Sequence, residues 1–436
     1  MLIAPPLASH LAQRRRAERR GHVAEQPGAA CFQRDRDVLL AAPEFARLGD
    51  VTQVMAPGAP GEFQTRHSHS LQVARIGRAL AESLLRDVPS RDAAEQAGGL
   101  DPTVVEAAAL AHDLGHPPFG HDAEDELDRL LVAEGIADGF EANAQSFRVV
   151  CRLAGSGAPC GLDLTRATLA GILKYPWLRG EHPRHPGKWG AYASEREVFD
   201  WVQAGNSGDA FQPSLEARVM DWADLLAYAV YDFEDFVRSG DIPMAALRAN
   251  REERQWLLDL VFARREVPAE QQALYALVLD RLLADCPVPH GDTRRFRNAL
   301  RCFANRLVDE AIDGVRLQAG EADAVLVTTL EQHAMILLTE GLTWHYVIDS
   351  AMLAPIRAEQ RRIIRDLFLA LAAPSRERPW PSGEPWSCWL RDAPDDAARL
   401  RVVADTIASL TERQVMQHYA LLAREGLPSA PPGDVQ

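Results

Sequence analysis

With 436 residues, 47% of them apolar and 25% charged, the chain carries enough apolar surface for a large core and lacks the polar excess of an unfolded polymer. Its net charge of -15 excludes general affinity for nucleic acid and repels anionic substrates at long range, so any phosphate ester must be captured by local cations. No apolar run nears the ~18 residues of a membrane span, and the cysteines Cys31, Cys151, Cys160, Cys286, Cys302 and Cys388 form no C-x-x-C pair, which argues against a zinc ribbon or disulfide framework and fits a reducing, cytoplasmic setting.

Residues 1–30 read as a basic flexible arm, a frayed end with Arg14, Arg15, Arg16, Arg19 and Arg20 but no apolar stretch of a secretion signal. Residues 36–50 are expected to be helical. From His69 the apolar positions Val73, Ile76, Leu80 and Leu84 recur at helix spacing, which places His69 on the inward stripe. Asp101 as cap and Pro102 as first residue open a second helix, with Val105, Ala108, Ala109 and His112 on its apolar face. Gly115, Pro117, Pro118 and Gly120 stop it sharply. The next helix starts near His121, and Asp122, Glu124, Asp125 and Glu126 suit its N-terminal dipole. Helices follow over 141–153 and 163–175, then a flexible Pro/Gly loop over 179–195 and a long helix over 213–238. Further helices cover about 251–263, 269–284, 293–318, 323–338 and 354–372. The stretch 374–389, with Trp380, Trp386 and Trp389, is a linker or packed loop; 394–424 is helical, and Pro428 to Gln436 has a disordered composition. The reading is all-α: the arm, a core over 31–372, a C-terminal helical extension over 373–425 packed on that core, and a tail over 426–436.

The run His112-Asp113-Leu114-Gly115-His116-Pro117-Pro118-Phe119-Gly120-His121 carries the most chemistry. Adjacent side chains on a helix point about 100° apart, so His112 and Asp113 converge most easily where a cation draws both in. His69 and Asp224 sit on other apolar helical stretches, and a carboxylate among Ala, Leu and Trp is costly unless it is paired or bound to metal. His69, His112, Asp113 and Asp224 offer mixed nitrogen and oxygen ligation for one divalent metal ion, Mn, Mg, Fe, Ni or Zn rather than calcium or copper. Singly, each is more often a satisfied core histidine or a paired aspartate. Their order around one Gly-Pro turn makes the set specific.

Several blocks in register resemble the HD-domain phosphohydrolases, and more narrowly the dGTPase-like deoxynucleoside triphosphate (dNTP) triphosphohydrolases. They are Phe32 to Asp37, Thr52-Gln53-Val54, Thr65 to Leu71, Ala111 to Glu124, Phe140 to Ser146, Leu164 to Trp177, Asp221 to Asp235 and Asp405 to Arg413, together spanning roughly 31–420. The resemblance implies an all-α HD-domain multi-helix bundle with additional C-terminal helices, and hydrolysis of a dNTP to deoxynucleoside plus inorganic triphosphate. It implies that His69, His112, Asp113 and Asp224 hold the metal. It also implies a homo-oligomer, hexamer or tetramer, and leaves room for a dNTP effector at a second site. The sequence departs from the family pattern at Val51, where Lys is common, at Leu225, where many members carry Asp, and at Thr406, Ser409 and Glu412, where Tyr, Gly and Asp are more usual.

For displacement at the α-phosphorus by water activated at the metal, His121 is the expected acid for the leaving 5′ oxygen, because histidine exchanges protons near neutral pH. Glu124, three residues on and on the same face, orients it. His116 contacts phosphate from the turn. Arg66 and Lys174 bind phosphate. On an unbroken helix Tyr228 and Asp232 follow Asp224 with a drift of only ~80°; Tyr228 binds phosphate or packs under the sugar, and Asp232 accepts a bond from the 3′ hydroxyl. Gln53 reads the sugar edge, and Asn143 and Gln145 complete the substrate-binding set from behind. His182 and His185 are read as bystanders. Two competing readings are a phosphatase or phosphodiesterase acting on another nucleotide, and a non-catalytic nucleotide sensor or nucleic-acid-binding regulator using the arginine arm. The blocks at 52–54, 164–177 and 405–413 favour dNTPs, and the acidic charge and complete ligand set weigh against the sensor.

Overall fold

The computed structural model describes residues 16–20, 29–54, 63–155, 161–204, 211–288, 291, 293–320, 323–350, 353–373 and 386–424. Arg14, Arg15, Trp380, Cys160 and the tail 426–436 lie outside the described residues.

The described chain is mainly helical, as its periodicities require. Helices α1 (Ala29–Ala41) and α2 (Pro43–Arg47) lead through a 3₁₀ turn at Leu48–Asp50 to α3 (Arg66–Arg86), whose start is closed by a capping box between Thr65 and Ser68. Helix α4 (Val88–Gln96) follows, then α5 (Pro102–Ala111), where Asp101 accepts from the N–H groups of Thr103 (2.8 Å) and Val104 (3.4 Å) as expected of a cap. Next come α6 (His121–Ala133), α7 (Ala142–Arg148), α8 (Arg166–Ile172), α9 (Arg196–Gln203) and α10 (Leu215–Ala227). Helix α10 runs through a π-helical turn, Tyr228–Asp232, into α11 (Phe233–Ser239). Helices α12 (Met244–Ala249), α13 (Arg251–Arg265), α14 (Ala269–Asp285) and α15 (Arg294–Asp313) precede a small hairpin, β1 (Arg316–Ala319) and β2 (Ala324–Val327). The chain closes with α16 (Leu330–Thr343), α17 (Leu353–Ala372), α18 (Trp386–Arg391), α19 (Asp396–Ser409) and α20 (Glu412–Arg424).

Helices α3, α5 and α10 pack on one another at the centre. Helix α5 is almost all alanine and valine on its buried face, with Val104, Val105 and Ala107 to Ala111 at 1% exposure or less. Small side chains let helix axes approach. At Gly77 of α3 a Cβ would lie 2.8 Å from Val105 Cγ1 and 3.5 Å from Ala223, one residue before Asp224. The three helices that carry His69, His112 and Asp224 therefore cross where the packing is tightest.

A second apolar cluster joins the C-terminal helices to α6: Ile364, Leu367 and Phe368 of α17 and Val403 and Ile407 of α19 pack with Leu127 and Leu131. Arg365 reaches Glu126 (2.7 Å) and Arg401 reaches Asp138 (2.7 Å) across the same seam.

Four expectations need correction. Residues 16–20 are anchored, not frayed: Arg19 donates to Asp35 (2.6 Å) and to the carbonyls of Asp163 (2.5 Å) and Cys31 (2.8 Å), Arg16 pairs with Glu216, and Arg20 with Glu197 (2.9 Å). Buried acids on the core dictate this, since Asp35 is 0% exposed and would be costly without a cation. Residues 316–319 and 324–327, read as helix ends, form an antiparallel hairpin with Arg316 opposite Val327, Leu317 opposite Leu326 and Gln318 opposite Val325. Gly314 ends α15, and the Val/Leu alternation that follows packs Leu317 inward at 2% exposure. The loop 179–195 is packed in its second part, where Trp189 and Tyr192 join Trp177 in one buried cluster, while 180–187 stay largely exposed. Within 374–389, Trp386 and Trp389 are helical and meet edge to face at 5.0 Å.

Candidate metal centre

His69 sits one turn into α3, His112 caps α5, and Asp224 lies near the end of α10. One ligand atom from each lies within 4.8 Å of the others. His69 Nε2 is 2.9 Å from Asp224 Oδ1, and His112 Nε2 is 3.6 Å from the same oxygen and 3.4 Å from Asp113 Oδ1. His112 Nδ1 lies 2.6 Å from the Ala109 carbonyl, to which it must donate. In the neutral ring that leaves the lone pair on Nε2, a buried atom with no hydrogen-bond partner. Burial opposes charge on His112, yet Asp113 and Asp224 outweigh it and push the imidazole up to about 9. Two carboxylates in a closed space thus demand positive charge from a proton or a cation. An orphaned imidazole lone pair beside them fits a divalent ion.

Asp113 is shared. Its Oδ1 lies 3.0 Å from His116 Nδ1, and its Oδ2 accepts from Arg66 at 2.9 Å. Arg66, expected at phosphate, is 3% exposed and donates to Asp113. Burial and the Arg66 guanidinium push His116 down to about 4, so its ring is neutral at pH 7. Gly115 exists because a Cβ there would lie 2.2 Å from the backbone nitrogen of Ser146, whose hydroxyl donates to His112 O at 2.7 Å.

A second group adjoins the first. His116, His121 and Glu124 bring ligand-type atoms within 4.8 Å. His121 Nδ1 is 2.7 Å from Glu124 Oε2; the His121 side chain is 69% exposed and that of Glu124 6%. Despite burial, His121 and Lys188 hold the Glu124 carboxyl far below the ordinary glutamate range.

Lys188 is a residue of this second group that sequence reasoning missed. Its Nζ bridges Glu124 Oε1 (3.1 Å) and Glu141 Oε1 (3.0 Å), and its carbonyl accepts from Trp177 Nε1 (2.7 Å). The available signal was a lone lysine between Gly187 and Trp189, in a stretch set aside as flexible. Asn143 supports the same group indirectly, its amide donating to Glu141 at 2.7 Å. Gln145 does not join it: its amide is committed to Asp405 at 2.9 Å. His182 and His185 stack by Trp177 and belong to neither cluster.

Lys174 Nζ pairs with Asp221 and lies 3.2 Å from Asp224 Oδ2. The π-helical turn contains both Tyr228 and Asp232, so the uniform α drift assumed from the sequence does not apply; π turns concentrate at functional sites because they re-aim side chains. Asp232 is 2% exposed, its Oδ2 has no partner, and burial with nearby Asp235 raises its carboxyl well above the usual range. Gln53 also leaves a buried Oε1 unpartnered.

Comparison with known proteins agrees with this arrangement. A family model described as HD domain matches residues 66–229, and one described as Phosphohydrolase-associated domain matches 328–421. A deoxyguanosinetriphosphate triphosphohydrolase-like protein of Streptomyces coelicolor is 37% identical over 422 residues, covering 91% of this chain and 94% of its own. The similarly named protein of Corynebacterium efficiens is 33% identical, covering 88% and 89%, and that of Vibrio vulnificus is 29% identical, covering 87% and 90%.

Proposed function

The chain belongs to the HD-domain, deoxyguanosinetriphosphate triphosphohydrolase-like family of metal-dependent phosphohydrolases, and from there we propose that it cleaves dNTPs to deoxynucleoside and inorganic triphosphate. One observation carries the reading: a ligand group of two imidazoles and one carboxylate at His69, His112 and Asp224 stands beside a separate His121–Glu124 pair. His69, His112, Asp113 and Asp224 would hold one divalent ion. When bound, such an ion supplies a Lewis acid for a phosphoryl oxygen and lowers the pKa of water.

The other steps fall to the chain itself. Water oxygen bonds to the α-phosphorus as the bond to the 5′ oxygen breaks; one water proton stays on the triphosphate product, and the other leaves to solvent, from which the exposed His121 is reprotonated. Glu124 holds His121 Nδ1 at 2.7 Å, so the imidazolium delivers its Nε2 proton to the departing 5′ oxygen. His116, neutral and between the two groups, contacts phosphate. Lys174 and Lys188 supply the local positive charge that an acidic chain needs near a triphosphate, and Arg66 offsets Asp113. Asp232 and Gln53, each with an unpartnered buried oxygen, suit sugar hydroxyls, and Tyr228 packs beside them.

The test is a product assay. Full-length protein with Mn or Mg and each dNTP is expected to release triphosphate and deoxynucleoside in equal amounts, resolved by ion exchange. Orthophosphate or pyrophosphate as the phosphorus product would overturn the reading in favour of another nucleotide hydrolase. The proposal extends to a cytoplasmic homo-oligomer, tetramer or hexamer, with a dNTP effector; light scattering with and without dNTP tests it.

A further inference from the structure

Glu412 lies almost 190 residues beyond the last ligand candidate, yet it touches both halves of the site. It opens α20, is 7% exposed, and its Oε1 accepts from the backbone N–H groups of Thr52 (2.7 Å) and Phe119 (3.2 Å). Thr52 belongs to the metal-holding half. It forms an isolated antiparallel bridge with Thr65, the N-cap of α3, and Val51 O accepts from Arg66 N at 3.2 Å, so this strand-like piece aims the helix that carries His69. Phe119 belongs to the acid-bearing half, between His116 and His121.

That second half is a strained turn. Phe119 has φ of 70° and Gly120 follows at 62°. A bulky residue with positive φ persists only where its surroundings over-determine it. The surroundings here are two charged side chains from distant parts of the sequence. Arg47 donates to Leu114 O (2.8 Å) and His116 O (2.9 Å) inside the turn and to Leu410 O (3.1 Å) just before α20. Glu412 takes the N–H of Phe119. The two walls nearly touch: a Cβ on Gly120 would lie 3.2 Å from Arg66 Nη2 and 3.8 Å from Thr52 O.

We infer that Glu412 is a positioning residue that pins the metal-holding half of the site to the acid-bearing half through Thr52 N and Phe119 N. The inference rests on the function proposed above for the reaction it serves. An acceptor-only group suits the task, because two donors converge on one oxygen.

Full-length, metal-loaded protein with Glu412→Ala, Glu412→Gln and Glu412→Asp tests this. Three readouts are taken: kcat and KM on the best dNTP, metal per chain by elemental analysis, and amide hydrogen exchange over residues 49–54 and 114–122. In Glu412→Ala, kcat is expected to fall by about 100-fold, the order that a 1 Å misplacement costs, while KM moves less than about threefold and metal stays bound. Exchange at Thr52 and Phe119 rises at least about tenfold, the signature of a lost hydrogen bond. Glu412→Gln keeps an acceptor oxygen and recovers most of kcat, whereas Glu412→Asp does not. An alanine variant with near wild-type kcat overturns the inference, and so does unchanged exchange, or loss of metal in step with kcat. If Glu412→Ala fails to fold, the Gln-over-Asp order decides. If wild-type protein releases no triphosphate from any dNTP, the functional reading fails, while the exchange data still test the pin.

Discussion

Arg148 and Asp405 form one buried polar cluster; His69, His112 and Asp224 form another, built to the opposite plan. In the first, Arg148 Nε lies 3.0 and 3.1 Å from the two Asp405 oxygens, Nη2 lies 2.7 Å from Oδ2, and Nη1 lies 2.5 Å from Glu195 Oε1. Gln145 adds a bond to Asp405 at 2.9 Å. Arg152 Nη1, 3.9 Å from Glu195 Oε1, brings the second positive charge, and nearly every donor is used, with Gln145 Oε1 the one atom of these side chains left buried without a partner. In the second, His69 Nδ1, His112 Nε2, Asp232 Oδ2, Gln53 Oε1 and Arg66 Nε are buried without a hydrogen-bond partner. A fold tolerates such atoms only at a cost. The satisfied cluster holds the chain together: it ties α7 to α19. The unsatisfied one is kept for something that arrives later.

The sharpest way to break this contrast is to swap the consequences. His112→Gln, similar in bulk, should reduce triphosphate release about 10⁴-fold, roughly 5 kcal/mol of barrier. In metal-free buffer its unfolding free energy by urea titration should stay within about 1 kcal/mol of wild type. Arg148→Met should do the reverse. Removing one partner of a buried pair leaves Asp405 and Glu195 uncompensated, and stability should drop by about 3–5 kcal/mol, with kcat per folded chain nearly kept. A large stability loss in His112→Gln, or none in Arg148→Met, would erase the distinction.

Much of the second cluster was legible in the sequence because its parts announce themselves locally. His69 falls on an apolar helical stripe, and a His-Asp doublet stands before a Gly-Pro turn. The first cluster was not legible: nothing local marks Arg148 or Asp405 as partners 257 residues apart. The bond from Gln145 to Asp405 was hidden for that reason, Glu412 stood out only as a departure from the family pattern, and Lys188 went unnoticed, because their partners come from other elements. The helices were read well where caps and apolar spacing agree, as at Asp101-Pro102. The hairpin at 316–327 was missed because its strands are four residues long, too short for alternation to stand out against a helical neighbourhood. The π turn at Tyr228–Asp232 has no sequence signature at all; it packs against α16, about a hundred residues further along the chain.

A smaller effect separates the clusters without any activity assay. Mn at about 100 times its Kd should stabilise wild-type protein by about 2.7 kcal/mol, because only the folded state gathers the ligands. Thermal unfolding with and without metal reads this directly. The gain should vanish in His112→Gln and survive in Arg148→Met. Equal gains in both variants would mean that the ion binds elsewhere.

The smallest effect tests whether an orphaned atom alone implies a ligand. Glu234 of α11 also has one, Oε2, although its Oε1 pairs with Arg301 at 2.8 Å. Burial, only partly offset by Arg301, raises its carboxyl from an ordinary 4.5 to about 7. Between those values the unfolded chain has lost the proton while the folded chain keeps it. Stability contributed by this group is therefore complete below pH 4.5 and declines as pH rises through 7. Glu234→Gln removes the titration and the cost of burying the charge, at the expense of an ion pair whose arginine is half exposed. The variant should be more stable than wild type by about 1 kcal/mol above pH 7, with a flatter pH dependence between 5 and 7. Metal affinity should not change, since Glu234 stands outside both ligand groups. If Glu234→Gln instead weakened metal binding, isolated orphans and clustered ones would have to be read alike. The expected result assigns the meaning to the cluster: several unpartnered atoms on and around one ligand group indicate a ligand, and a single one beside a surface arginine is a strained carboxylate.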